Sequence, residues 1–225
     1  MGRRLRPMTA ADLELLPEPC GGCAFWETSV ADLAAPLDHP DRAARKAEWA
    51  QEVTDHWGYC GVLAVQDDEV LGFLTLAPAR LVRRLPALPT TRVSADVAVL
   101  LSAQVTEAWR GKGIGRQLVS TAAGLVARRD IRALEAVGTR RDGPSCMMPV
   151  DWLETVGFGV VREHPVTPRL RMDLHATQRW TGFGAAWNRL TGLVVPPSTP
   201  QPASYTGRTA DPAEPLPPRP RVQAG

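Results

Sequence analysis

Residues 102–119, SAQVTEAWRGKGIGRQLV, constrain this chain more than any other stretch. An apolar strand runs into a turn with glycine at 111, 113 and 115, and an amphipathic helix begins at once. Glycine lacks a β-carbon, so such a turn closes tightly and lets its backbone approach a ligand. Its successive N–H groups, beside the unsatisfied donors of the first helical turn, converge on one spot and favour an anion such as a diphosphate. The helix dipole adds only about 0.3–1 kcal/mol per charge. Direct N–H bonds and the cations Lys112 and Arg116 must therefore supply most of the affinity.

Residue identities exclude two common phosphate loops. A P-loop needs glycine at 106 and serine or threonine at 113, where Thr106 and Gly113 stand. A dinucleotide fingerprint begun at Gly111 needs glycine at 116, where Arg116 stands. The pattern R-x-x-G-x-G does match, at Arg110, Gly113 and Gly115. Downstream, CMMPVDWLETVGF (146–158) is similar to a second signature, N-x-x-A-I-x-L-Y-E-x-x-G-F. Together, across roughly residues 3 to 175, the chain resembles the GNAT superfamily of acyl-CoA-dependent N-acetyltransferases.

The resemblance implies an α/β fold: a mixed, partly antiparallel sheet flanked by helices. It implies acetyl-CoA as acyl donor, no metal, and direct attack by an amine in a ternary complex. Carried over by position, the backbone of Ala103, Gln104 and Val105 would bond the pantetheine arm where two strands splay. Arg110, Gly111, Lys112, Gly113, Ile114, Gly115 and Arg116 would hold the pyrophosphate. Cys146 stands where the family often has asparagine and is a further cofactor-side candidate. Leu153 stands where the family often has the tyrosine that protonates the departing thiolate. A thiol titrates near 8.5, so that loss slows the reaction without forbidding it; a positioned acid contributes about 10²–10⁴-fold.

A carboxylate must still take the amine proton. Asp96 opens the central strand, close to where the family's base often lies, and a local backbone cap is the alternative. Glu135 interrupts the apolar strand IRALEAVG, and a carboxylate there is either paired or functional, since burying it alone is costly. Glu107, nearer the loop, reads as solvated. The segment AFWE (24–27) precedes a long helix, in the region that walls the acceptor site of GNAT folds. There Trp26 and Glu27 are either core residues or contacts for a cationic amine. CGGC at 20–23 follows PEP rather than a strand, and Cys60, Cys146 and His56 lack paired metal spacing, so its thiols read first as structural.

Composition bounds the rest. A net charge of +2 gives no reason to expect a nucleic-acid partner, and no apolar run is long enough for a membrane span. The first residues lack a continuous apolar core and do not read as a signal peptide. One close cysteine pair and two scattered thiols do not make a disulfide framework and suit a reducing cytoplasm. Nine of the 21 prolines fall after Val195, among few large apolar residues. The expected organisation is one domain over residues 1–195 and a Pro-rich disordered tail over 196–225. The function expected is transfer of an acetyl or short acyl group to a small-molecule or peptide amine. A non-catalytic acyl-CoA-binding protein and a protein-interaction module are the alternatives.

Overall fold

The computed structural model describes residues 2–34, 39–67, 69–90, 92–94, 96–143 and 145–174. The Pro-rich segment 196–225 and His175 lie outside the described residues. Chain contacts divide the molecule at 193/194, and everything described falls in the first unit.

Among the described residues eight strands make one sheet: β1 (Arg4–Met8), β2 (Gly61–Gln66), β3 (Glu69–Pro78), β4 (Val97–Val105), β5 (Ala133–Thr139), β6 (Met148–Pro149), β7 (Gly159–Arg162) and β8 (Arg169–Asp173). Their order is β1-β2-β3-β4-β5-β8-β7, with the two-residue β6 beside β5. Neighbours are antiparallel except β4–β5 and β5–β6. Among the described residues three α-helices cover the faces: α1 (His39–Trp57), α2 (Ile114–Val126) and α3 (Val150–Thr155). Among the described residues no helix is long and apolar enough to cross a membrane.

The helices form where the apolar spacing predicts them. In α2, Ile114, Leu118, Val119, Ala122 and Val126 make one buried stripe, and each large aliphatic side chain contributes about 1.5–3 kcal/mol by burial. In α1 the buried stripe is Lys46, Trp49, Ala50, Val53 and Trp57, and Gly58 (φ +76°) ends it in the left-handed region. The two stripes cover two cores. Leu74, Ala98, Leu100, Leu134 and Leu170 meet α2 and α3. Phe73, Val99, Leu101 and Val137 belong to the core of Trp26 and Trp49.

After β1 the chain makes a 3-10 turn, Ala10–Leu15. Its Asp12 accepts bonds from the Thr9 backbone N–H and from Arg6, which compete for the carboxylate at the turn's start. The segment from 148 begins as strand and becomes helix only at Val150, because Met148 pairs with Gly138 across β5.

Candidate active site

The parallel pair β4–β5 is short. It runs from Val97 opposite Ala133 to Leu100 opposite Ala136 and then stops. Beyond that point β5 continues to Thr139 against β6 and β8, while β4 continues to Val105 against β3 alone. An irregularity in the β3–β4 register, where Thr75 faces Ser102 but Leu76 faces Leu100, leaves Leu101 over and turns the strand away. Ala103, Gln104 and Val105 thus lie on an edge with no strand partner beyond it among the described residues. Gln104 Oε1 is buried without a hydrogen bond.

At the end of this edge comes the glycine turn. Gly111 (φ +73°) and Gly113 (φ +76°) adopt left-handed backbone, and Gly113 caps α2, accepting the Gln117 N–H. A side chain at either position would meet no protein atom within 4 Å, so the demand for glycine there comes from the backbone conformation. Gly115 differs, because a β-carbon would come 3.0 Å from the Trp152 ring. Ile114 is buried and has only its N–H to offer. Lys112 Nζ sits 4.5 Å above the Trp109 ring. Arg110 Nε bonds the Val105 carbonyl at 3.3 Å, and Arg116 Nη2 bonds the Thr155 carbonyl, tying α2 to α3.

On the α1 side of the sheet a narrow cleft lies next to the parting strands. Cys20, Cys23, Phe25, Trp26, Glu27, Lys46, Phe73, Ser102 and Cys146 line it. Trp26 Nε1 and Ser102 Oγ both donate to the Cys146 carbonyl, at 3.1 and 3.4 Å, so the wall bridges the gap between β4 and the head of β6. Lys46 Nζ donates to Glu27 Oε1 at 3.1 Å and to the Cys23 carbonyl at 2.9 Å. Glu27 is 2% exposed, and its Oε2 is buried without a partner. The Cys23 and Cys146 sulfurs are 3.2 Å apart. The bond from Cys146 holds the Cys23 thiol down, against the effect of burial, to about 6, and pushes the Cys146 thiol up. Burial raises Cys20. Among the described residues no group of three or more His, Cys, Asp or Glu is arranged to hold a metal ion.

The sequence-derived residues fall into three places. Ala103 to Val105 and Arg110 to Arg116 form one continuous rim along the gap. Cys146 stands next to the start of that rim, its carbonyl bonded by Ser102 and its sulfur facing Cys23 in the cleft. Of the two expected bases, Glu135 pairs with Val99, one residue before the strands part, and Asp96 lies farther off. Asp96 precedes β4 at the paired end, four residues before Leu100, and four residues of strand span about 13 Å. Its carbonyl accepts the Arg132 N–H, so it closes the start of the β4–β5 pair. Glu135 is 1% exposed, with Oε2 bound by Arg169 at 2.7 Å and Oε1 by Arg171 at 3.1 Å. The carboxylate is thus paired, and it cross-links β5 to β8. Leu153 is fully buried, and Tyr59 packs beside Trp57 and Arg129. The sequence reading missed Lys46, although a lysine three residues before Trp49 on an apolar stripe is a visible anomaly.

A sequence model of the acetyltransferase (GNAT) family matches residues 24–146. No curated protein sequence matches the chain. Among solved structures, aminoglycoside acetyltransferase AAC(6')-Ib in complex with coenzyme A is similar, at 16% identity, 79% of this chain, 98% of that one and a TM-score of 0.50. The PaiA N-acetyltransferase of Thermoplasma acidophilum, also with coenzyme A, has 16% identity, 77% and 99% coverage and a TM-score of 0.48. At such identities the structural likeness speaks for the fold alone. The family match takes in more than half of the sequence. The chain belongs to the GNAT acetyltransferase family.

Proposed function

We propose that the protein transfers an acetyl or similar short acyl group from acyl-CoA to a primary amine, by direct attack in a ternary complex. The observation that carries this reading is the parting of β4 from β5 after Leu100 and Ala136, with the glycine turn along one side and the Glu27 cleft on the other. In this reading the turn from Arg110 to Arg116 holds the pyrophosphate, with backbone N–H groups as the main donors. The free edge at Ala103–Val105 takes the pantetheine amides.

Glu27 then serves as proton acceptor in place of Asp96 and Glu135. Its Oε1 is held by Lys46, which fixes the carboxylate and leaves the unpartnered Oε2 for the incoming amine. With leucine at 153, the leaving thiolate takes its proton from water. An α-amine-like acceptor, pKa about 7.8, needs only about 1 kcal/mol to reach its neutral form at pH 7, whereas a lysine-like amine needs about 4–5 kcal/mol. The sparse acid–base equipment therefore favours the less basic amine.

Thiol release from acetyl-CoA across a panel of small amines and amino-terminal peptides tests the proposal. Turnover with at least one amine is expected. Acetyl-CoA binding without turnover would favour a non-catalytic acyl-CoA-binding protein, the reading that Leu153 favours. No CoA binding at all would leave an interaction module.

A further inference from the structure

We propose that Cys23 and Cys146 are an oxidisable thiol pair, joined to a disulfide by hydroperoxides, and that the bond pins the acceptor cleft shut. The effect on catalysis rests on the function proposed above; the formation of the bond does not. The two residues are 123 positions apart in sequence, yet their sulfurs lie at 3.2 Å. A further approach of about 1 Å reaches a disulfide length of about 2.05 Å.

The backbone keeps the thiols facing each other. The Cys23 carbonyl is held by Lys46, and the Cys146 carbonyl by Trp26 and Ser102. Both residues are half-buried in the wall of a cleft, so a small oxidant can reach them. The low thiol of Cys23 supplies the nucleophile at neutral pH, and Cys146 keeps its proton. Cys20 lines the same cleft but makes no sulfur contact with either. Cys60 is buried in the core of Trp26 and Trp49 and does not line the cleft.

The chemistry balances with the hydroperoxide as two-electron oxidant. The Cys23 thiolate attacks the distal peroxide oxygen, the O–O bond breaks, and the departing alkoxide takes a proton to leave as alcohol. Cys23 is then a sulfenic acid. Cys146 sulfur attacks it, the S–O bond breaks, and hydroxide leaves as water with the Cys146 proton. Two thiols are oxidised and one peroxide is reduced. The new bond ties the 20–28 loop, which carries Glu27 and Trp26, to the segment at the head of β6. The cleft walls can then no longer separate to admit an amine. A thiol reductant reverses the step.

The test treats reduced full-length protein with one equivalent of tert-butyl hydroperoxide at pH 7, followed by thiol blocking and non-reducing peptide mapping. Two thiols should be lost, with one cross-link between the peptides holding Cys23 and Cys146. The link should persist in Cys20→Ser and vanish in Cys23→Ser and in Cys146→Ser. Acetyl transfer should fall at least tenfold on oxidation and return with dithiothreitol, while whatever activity Cys23→Ser retains should not respond to peroxide. A Cys20–Cys23 bridge, a Cys23 sulfinic acid without cross-link, or a cross-link that leaves turnover unchanged would overturn the proposal. If neither form transfers acetyl groups to any amine, the functional reading fails, and the mapping alone decides the pair.

Discussion

Glu27 and Lys46 stand 19 residues apart in sequence and share one buried hydrogen bond of 3.1 Å. A carboxylate so buried needs a partner, and Lys46 satisfies only Oε1. Replacing Glu27 by Gln keeps the shape and removes the basicity. Turnover is expected to fall about 10²–10⁴-fold with CoA affinity unchanged. The loss should shrink as pH approaches the pKa of the amine, because free amine then forms without help. Asp96→Asn, at the far end of β4, should stay within about twofold of wild type by the same assay. Equal losses in both variants would return Asp96 to the mechanism. The sequence put Asp96 and Glu135 forward as bases and Glu27 only as a core residue or a contact for a cationic amine. Strand position is legible from periodicity, but which end of a strand lies at the gap depends on where the pairing stops. That stop is set by the extra residue Leu101, which local pattern does not reveal.

At the scale of elements, the glycine turn and α2 were legible because their signals are local: left-handed backbone at Gly111 and Gly113, and a buried stripe starting at Ile114. The 20–28 loop was not, because its partners come from α1, from β4 and from the segment before β6, each remote in sequence. Gly113→Val tests the turn. A β-branched residue at φ +76° strains the backbone and places methyl groups where a phosphate would approach. The thermal shift given by acetyl-CoA should disappear, while the protein without ligand loses only about 1–2 kcal/mol of stability. An undiminished shift would remove the pyrophosphate from this turn. Glu135 makes the matching argument for the sheet. Its two guanidinium partners hold β8 against β5, and both are mostly covered. Glu135→Gln takes the counter-charge from Arg169, while Arg171 keeps Asp173, and should cost about 1–3 kcal/mol in denaturant unfolding. Turnover of the folded fraction should stay intact, and a selective loss of turnover at full stability would restore Glu135 as the base.

For the whole molecule, titrating groups next to β1 and β2 contribute to the pH dependence of stability. On the acid side stands Asp12. Burial alone would raise it, but the bonds from Arg6 and Thr9 prevail and its carboxyl sits below the usual range. A depressed folded value adds stability above the unfolded pKa, about 3.9, and that stability is lost as pH falls through the folded value. On the alkaline side stands Cys60, fully buried before β2, where its N–H meets the Met8 carbonyl. Burial pushes its thiol up to about 11. Folding therefore favours the neutral thiol. The sign is opposite to that of Asp12: the contribution is complete below the unfolded value, about 8.5, and disappears as pH rises through about 11. Tyr59, raised by burial beside it, acts in the same direction at higher pH. Cys60→Ala separates the thiol from every other group. At pH 7 the variant should be less stable by about 1–2 kcal/mol, the cost of a small cavity. Between pH 9 and 11 the wild type, kept reduced, should lose about 2–3 kcal/mol that the variant does not, so their melting temperatures should converge or cross. Parallel curves over that range would mean that the Cys60 thiolate is accommodated in the fold and that the alkaline limit is set elsewhere.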